Sequence, residues 1–222
     1  MSTRLIILND NAPSKGLLND WGWSLLVEGN YRFLFDAGMN PLVLAHNSKA
    51  LGASLKGLDF VVLSHWHGDH CGGFPYIAEL NPGIPLYAPP GNKALAMRWG
   101  FDAMEVLKAG EIVPGIWTSG PLDGFEQAAG VETPSGLVVI VGCSHPGVDR
   151  LTGAVLEVSG YKKAHLVMGS FHYPSPGTLD KLAAMAEFIA PAHCSGNLAK
   201  AYVRKRYPGK FVEVKTGSVL EV

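Results

Sequence analysis

The segment Ser64-His65-Trp66-His67-Gly68-Asp69-His70 constrains this chain more than any other stretch. It follows the apolar run Phe60–Leu63, which reads as a short buried strand, so the donors stand where a strand gives way to a loop. Side chains alternate faces on extended backbone, which lets His65 and His67 point the same way. Gly68 lets the chain turn, after which Asp69 and His70 face a second position nearby. One loop thereby offers two sets of metal ligands, as a dinuclear centre requires. Metals roughly 3.5–4 Å apart can clamp a reacting oxygen between them. The competing readings are surface histidines or a structural zinc. Structural zinc favours closed, cysteine-rich tetrahedra, whereas imidazoles with a carboxylate suit an open catalytic site. Zinc is the favoured ion, and the same donors accept iron or manganese.

A chain of 222 residues, 47% hydrophobic, can bury one substantial core, so a single domain over residues 1–222 is expected. Charged residues make up 17%, below the globular average of about 25%, which argues against a disordered adaptor. A net charge of -1 argues against nucleic acid as partner. The basic trio Arg204-Lys205-Arg206 is expected on the exposed face of a C-terminal helix. Met-Ser-Thr-Arg at the N-terminus is too short and too polar for a signal peptide. No apolar run approaches the roughly 20 residues that span a bilayer, so no membrane partner is expected. The three cysteines lack a repeated spacing, which fits a reduced, cytoplasmic protein.

Short β-rich runs alternate with turns and helical stretches. Arg4–Leu8, Ser24–Glu28 and Tyr31–Phe35 read as opening strands, the last two joined by a turn at Gly29-Asn30. Pro41–Leu51 reads as a helix with proline in its first turn. Strands follow at Leu86–Ala88 and near Ile112–Thr118, with a helical stretch near Asn92–Trp99. A hairpin pairs Gly124–Val131 with Leu137–Val141. Helices are expected over Gly147–Val158, Thr178–Phe188 and Leu198–Tyr207, and strands over His165–Met168 and Ile189–Ala192. Hairpins early and strand–helix alternation later suit two mixed sheets packed face to face with helices outside.

His145 and His193 each follow a predicted strand, sit beside small residues and precede a predicted helix. Ligands of a shared site gather on such loops, so both are candidate ligands beside the HxHxDH segment. Cys71, Cys143 and Cys194 each neighbour a proposed ligand. Tight packing is the favoured reading for them, ahead of a redox or metal role. Asp36 ends a strand and either caps a loop or orients a ligand histidine. Asp10-Asn11 reads as a strand-to-loop turn or an approach to the site. Ser195 is an N-cap or, with Gly196-Asn197, part of an anion-holding helix start. Of Trp21, Trp23, Trp66 and Trp99, only Trp66 is tied to the site by position.

His65-Trp66-His67-Gly68-Asp69-His70, then His145 and His193, with Phe35-Asp36-Ala37-Gly38 upstream, resemble the metallo-β-lactamase superfamily over nearly the whole chain. The resemblance implies a four-layered αβ/βα sandwich of two mixed β-sheets flanked by helices. It implies one metal on His65, His67 and His145, and a second on Asp69, His70 and His193. It also favours Asp36 as the residue that orients a ligand histidine. Histidine at position 67 resembles the hydrolytic members, whereas redox di-iron members usually carry glutamate. Asp10-Asn11, Gly142-Cys143-Ser144-His145-Pro146-Gly147, Gly169-Ser170-Phe171-His172 and His193-Cys194-Ser195-Gly196 look like a subgroup named for dihydropterin–ribofuranosylaminobenzene phosphate synthase.

One departure stands out. The superfamily usually bridges its metals with an aspartate, often in a Gly-Asp pair, where this chain has Gly169-Ser170 and no carboxylate until Asp180. His172 is then a replacement ligand, a substrate contact or a group that orients another histidine, and one or two metals are both open. The expected activity is metal-dependent hydrolysis, a metal-bound water attacking an ester, lactone or phosphoester of a small-molecule substrate. Asp69 is the expected catalytic proton acceptor. The alternatives are a synthase joining a pterin to a phosphorylated ribofuranosylaminobenzene derivative, and a non-catalytic metal sensor.

Overall fold

The computed structural model describes residues 2–12 and 14–222; Met1, which opens the polar N-terminal stretch, and Pro13 lie outside the described residues. The chain divides into two compact units, one running to Val106 and taking back Lys215–Val222, the other covering Leu107–Val214.

The first unit holds strands β1 (Arg4–Asn9), β2 (Ser24–Glu28), β3 (Arg32–Phe35), β4 (Phe60–Val62), β5 (Pro85–Ala88) and β6 (Asp102–Glu105). The second holds β7 (Gly110–Val113), β8 (Ile116–Thr118), β9 (Ala129–Thr133), β10 (Gly136–Val141), β11 (Ala164–Ser170) and β12 (Ala186–Ala192). The last strand, β13 (Val219–Glu221), returns to the first unit and pairs antiparallel with β1. The two sheets run β13-β1-β2-β3-β4-β5-β6 and β12-β11-β10-β9-β8-β7. Both are mixed. Each begins as an antiparallel meander and continues in parallel, from β3 onward in one and from β10 onward in the other.

In the first unit helices α1 (Pro41–Ala50), α2 (Gly68–Cys71), α3 (Phe74–Leu80) and α4 (Lys93–Trp99) fill the crossovers. Asn40 caps α1 by accepting from the Leu42 N–H, and Pro41 occupies the first turn, where a missing N–H costs nothing. Ile6, Leu8, Leu26, Leu34, Val61 and Leu86 gather under Leu44, Phe74, Ile77 and Ala96 of the helices. Full burial of one such aliphatic or aromatic side chain is worth roughly 1.5–3 kcal/mol. Leu5 and Ile7, which point the other way along β1, are also wholly buried. That explains the unbroken apolar run, since a strand covered on both faces loses the alternation of a half-exposed one.

In the second unit α5 (Val148–Ser159), α6 (Pro176–Met185) and α7 (Gly196–Arg206) pack on the sheet through Val148, Leu151, Val155, Leu179, Leu182, Ala199 and Val203. Among the described residues no helix is long and apolar enough to cross a membrane. Arg204, Lys205 and Arg206 are exposed at the end of α7, where Arg204 pairs with Glu213 at 3.0 Å.

The expected elements recur with shifted ends, and two differences have clear causes. The first strand of the expected hairpin begins at Ala129 rather than Gly124, because Glu126 is turned inward to bind backbone N–H groups. The helix expected over Thr178–Phe188 stops at Met185, and Ala186–Ala192 pairs in parallel with β11 instead. Sheet pairing there overrides local helix preference. The short helix α3, the edge strand β6 and the terminal strand β13 carried no pattern strong enough to read from sequence.

Candidate metal-ligating residues

In the first unit the histidines are held by one carboxylate. Asp36 follows β3 in a left-handed conformation, φ 54°, unusual for a residue other than glycine. Its Oδ1 accepts from the Ser64 N–H at 2.7 Å, and its Oδ2 accepts from the Ser64 hydroxyl at 2.7 Å. The same Oδ2 lies 2.7 Å from His70 Nδ1. Asp36, Ser64, His65 and His70 are all fully buried. An ionised carboxylate only accepts, so His70 carries its proton on Nδ1 and presents the lone pair of Nε2. The Ser64 hydroxyl gives its proton to Asp36 and therefore accepts from His65 Nδ1, 2.9 Å away. His65 is thus set in the same tautomer as His70.

The exposed His67 brings its Nδ1 to 3.0 Å from His65 Nε2, and the rings of His65 and His70 are centred 4.3 Å apart. Asp69 Oδ2 stands 3.8 Å from His70 Nε2. Backbone anchors hold this loop: the Trp23 and Ala37 N–H groups donate to the carbonyls of Asp69 and His70. A Cβ on Gly72 would come 2.1 Å from the Met39 carbonyl oxygen, so only glycine lets the loop close there. Imidazoles oriented by one carboxylate, with a second carboxylate, that of Asp69, close to His70 Nε2, form a donor set that suits a divalent metal.

In the second unit His145 and His193 lie on the loops after β10 and β12, and His172 on the loop after β11. Ser144, His172, Tyr173 and His193 all adopt positive φ, between 42° and 64°. Strained backbone of this kind persists where surrounding contacts enforce it, and it collects at functional loops. The group that holds the Ser144-His145 backbone is Glu126, which sequence reasoning missed. Fully buried, it accepts from the N–H of Ser144 through Oε1 and of His145 through Oε2, each at 2.7 Å. The His145 and His172 rings are centred 4.3 Å apart.

Ser170, which stands where the resemblance leads one to expect aspartate, is turned to Cys194. Its Oγ donates to Cys194 Sγ at 2.7 Å and accepts from the Cys194 N–H at 2.8 Å. The preceding Gly169, at φ 126°, passes so close to β10 that a Cβ would sit 2.1 Å from the Val141 carbonyl oxygen. Cys143 and Cys194 bring their sulfurs to 3.4 Å. Hydrogen bonding with the Cys143 thiol is the largest influence on Cys194 and, with help from Ser170 and His193, holds its thiol well below the usual range despite burial. Cys71 behaves oppositely: burial, then the charges of Asp36 and Asp69, push it up to about 11. Simple packing, the favoured sequence reading for the cysteines, suits Cys71 and falls short for the other two.

The remaining sequence candidates have structural duties. The Asp10 N–H and carbonyl both bond the Thr216 hydroxyl at 2.9 Å, and Asp10 Oδ1 accepts from the Asn11 N–H. Asn11 Oδ1 accepts from the Gly22 N–H at 3.3 Å. Ser195 precedes α7 without capping it; its Oγ accepts from the Phe171 N–H at 3.0 Å. Trp66 donates to the Pro89 carbonyl and packs near Trp99, Trp23 is fully buried, and Trp21 is exposed.

Two mixed sheets flanked by helices, with a histidine-rich loop directly after β4, define the metallo-hydrolase class of folds. The family model described as the metallo-beta-lactamase superfamily matches residues 22–180, and the chain belongs to that superfamily. An uncharacterized protein of Methanocaldococcus jannaschii is 43% identical, over 97% of this chain and 99% of its own length. The 7,8-dihydropterin-6-methyl-4-(beta-D-ribofuranosyl)-aminobenzene-5'-phosphate synthase of the same organism is 25% identical, over 86% of this chain and 84% of its own. A crystal structure of a metal-dependent hydrolase of the beta-lactamase superfamily, Tm1679, superposes with a TM-score of 0.82 at 25% identity, covering 99% of each chain.

Proposed function

We propose that this chain is a metal-dependent hydrolase of the superfamily, acting on an ester, lactone or phosphoester of a small molecule. His65, His67 and His145 are assigned to one divalent ion, and Asp69, His70 and His193 to a second, with zinc the favoured metal. The observation that supports the reading most is the buried Asp36 carboxylate, which serves His70 directly and His65 through Ser64. Such partners fix ring orientation and tautomer in metal sites and raise the basicity of the ligand. Bound metal supplies Lewis-acid polarisation of the scissile group and a nucleophile at neutral pH.

The protein's own residues divide the remaining work. Asp36 and Ser64 hold His65 and His70 through Nδ1 with Nε2 forward, and Glu126 holds the backbone that carries His145. Asp69, only partly buried, is assigned the role of proton acceptor. A reducing cytoplasm is the compartment assigned in this reading.

A second reading is favoured by the similarity to the Methanocaldococcus jannaschii synthase: the same donors joining a pterin to a phosphorylated ribofuranosylaminobenzene. A panel of esters, lactones and phosphodiesters, run beside the pterin and phosphoribosyl pair, separates the two. Hydrolysis products support the first reading. A joined product with released phosphate or pyrophosphate supports the second. In either case His67→Ala is expected to abolish turnover and lower metal content with the circular dichroism unchanged. Near-normal turnover in that variant overturns the assignment of the ligands.

A further inference from the structure

Three loops of the second unit bring a different set of donors together. Cys143 lies two residues beyond β10, His172 two beyond β11 and Cys194 two beyond β12. These strands are parallel neighbours, with Val141 beside Gly169 and Gly169 beside Pro191 in register, so the three loops leave the sheet at one edge. The Sγ atoms of Cys143 and Cys194 are 3.4 Å apart, and Cys194 Sγ is 3.5 Å from His172 Nδ1. One donor atom from each residue lies within 4.8 Å of the others. The two sulfurs are buried, whereas the imidazole is exposed and leaves one side open to solvent.

Two further observations point to a ligand rather than to packing. Ser170 binds Cys194 twice, through its sulfur and its N–H, which orients the sulfur as outer hydrogen bonds orient metal ligands. His172 and Tyr173 are held at φ 44° and 52°, so the imidazole is presented toward the sulfurs by a strained backbone. Two thiolates with one imidazole form a soft donor set, matched to closed-shell thiophilic ions and poorly matched to magnesium, calcium or manganese.

We propose that Cys143, Cys194 and His172 form a binding site for a thiophilic cation such as zinc(II) or copper(I). The site goes beyond the proposed function and does not depend on it. Binding displaces to solvent any proton still on the two sulfurs and involves no change of oxidation state.

The test uses full-length protein, reduced beforehand, carrying His67→Ala, Asp69→Ala and His70→Ala so that both donor sets assigned above lose ligands. Cadmium(II) is the probe, read by thiolate-to-metal charge-transfer absorption and by cadmium NMR. One equivalent is expected to bind with a thiolate signature. Cys194→Ala and Cys143→Ala should each weaken that signature, the double variant should abolish it, and Cys71→Ala should retain it. His172→Ala, at an exposed position where folding is not at stake, should weaken binding at least about tenfold. A thiolate signature that survives both Cys143→Ala and Cys194→Ala, or cadmium bound through nitrogen and oxygen alone, overturns the proposal. So does full affinity in His172→Ala.

Discussion

Asp36 Oδ2 lies 2.7 Å from Nδ1 of His70, with both side chains fully excluded from solvent. The same oxygen takes the Ser64 hydroxyl proton, so one carboxylate decides the tautomer of two histidines. Asp36→Asn places an amide where an acceptor is needed, and His70 loses its fixed orientation. Metal affinity is expected to fall about 10–100-fold, as loss of such a partner typically does. Competition with a chelator of known affinity measures it. Unchanged affinity would show that His70 does not depend on Asp36.

Glu126 has a comparable place in the second unit. Glu126→Gln leaves one acceptor oxygen for two buried N–H groups and turns an amide donor toward the other. The expected loss is about 1.5–3 kcal/mol, the range for a hydrogen bond to a charged group. Urea unfolding reads it as a lower midpoint with an unchanged slope.

Gly169→Ala tests the close approach of β11 to β10. The new Cβ meets the Val141 carbonyl oxygen at 2.1 Å on a backbone of φ 126°. Both steric and conformational terms oppose it, and a loss of roughly 3 kcal/mol or more is expected. A thermal melt close to that of the unsubstituted protein would contradict the geometry.

Asp180 is the acceptor for two phenols, Tyr202 at 2.8 Å and Tyr207 at 2.7 Å, and their hydrogen bonds, Tyr207's foremost, hold its carboxyl below the usual range. A depressed folded value means that the contribution is present above the unfolded carboxyl range and is lost as pH falls through the folded one. Asp180→Asn should therefore be slightly less stable at neutral pH and converge with the unsubstituted protein in acid. Denaturation midpoints across acid and neutral pH decide it; a gap that widens in acid would reverse the sign.

The superfamily and most elements were legible because their signals are local. Pro41 and the apolar runs of β1 to β4 and of β10 act within a few residues. The end of α6 at Met185 was not legible, since Ala186–Ala192 becomes a strand only through β11. The roles of Ser64 and Ser170 were equally hidden. A serine has no pattern that announces its partner, and each acquires one through burial beside a particular acceptor.

Within His65-Trp66-His67-Gly68-Asp69-His70 the sequence by itself determined a dense metal-donor loop, because strand alternation and one glycine suffice to turn four donors together. Tertiary structure alone decided which groups aim those donors. Asp36 reaches Ser64 and His70 across 28 and 34 residues, Glu126 reaches His145 across 19, and Ser170 reaches Cys194 across 24. Such pairings follow from strand register and from the cost of burying an unsatisfied polar group, and both exist only once the sheets have formed.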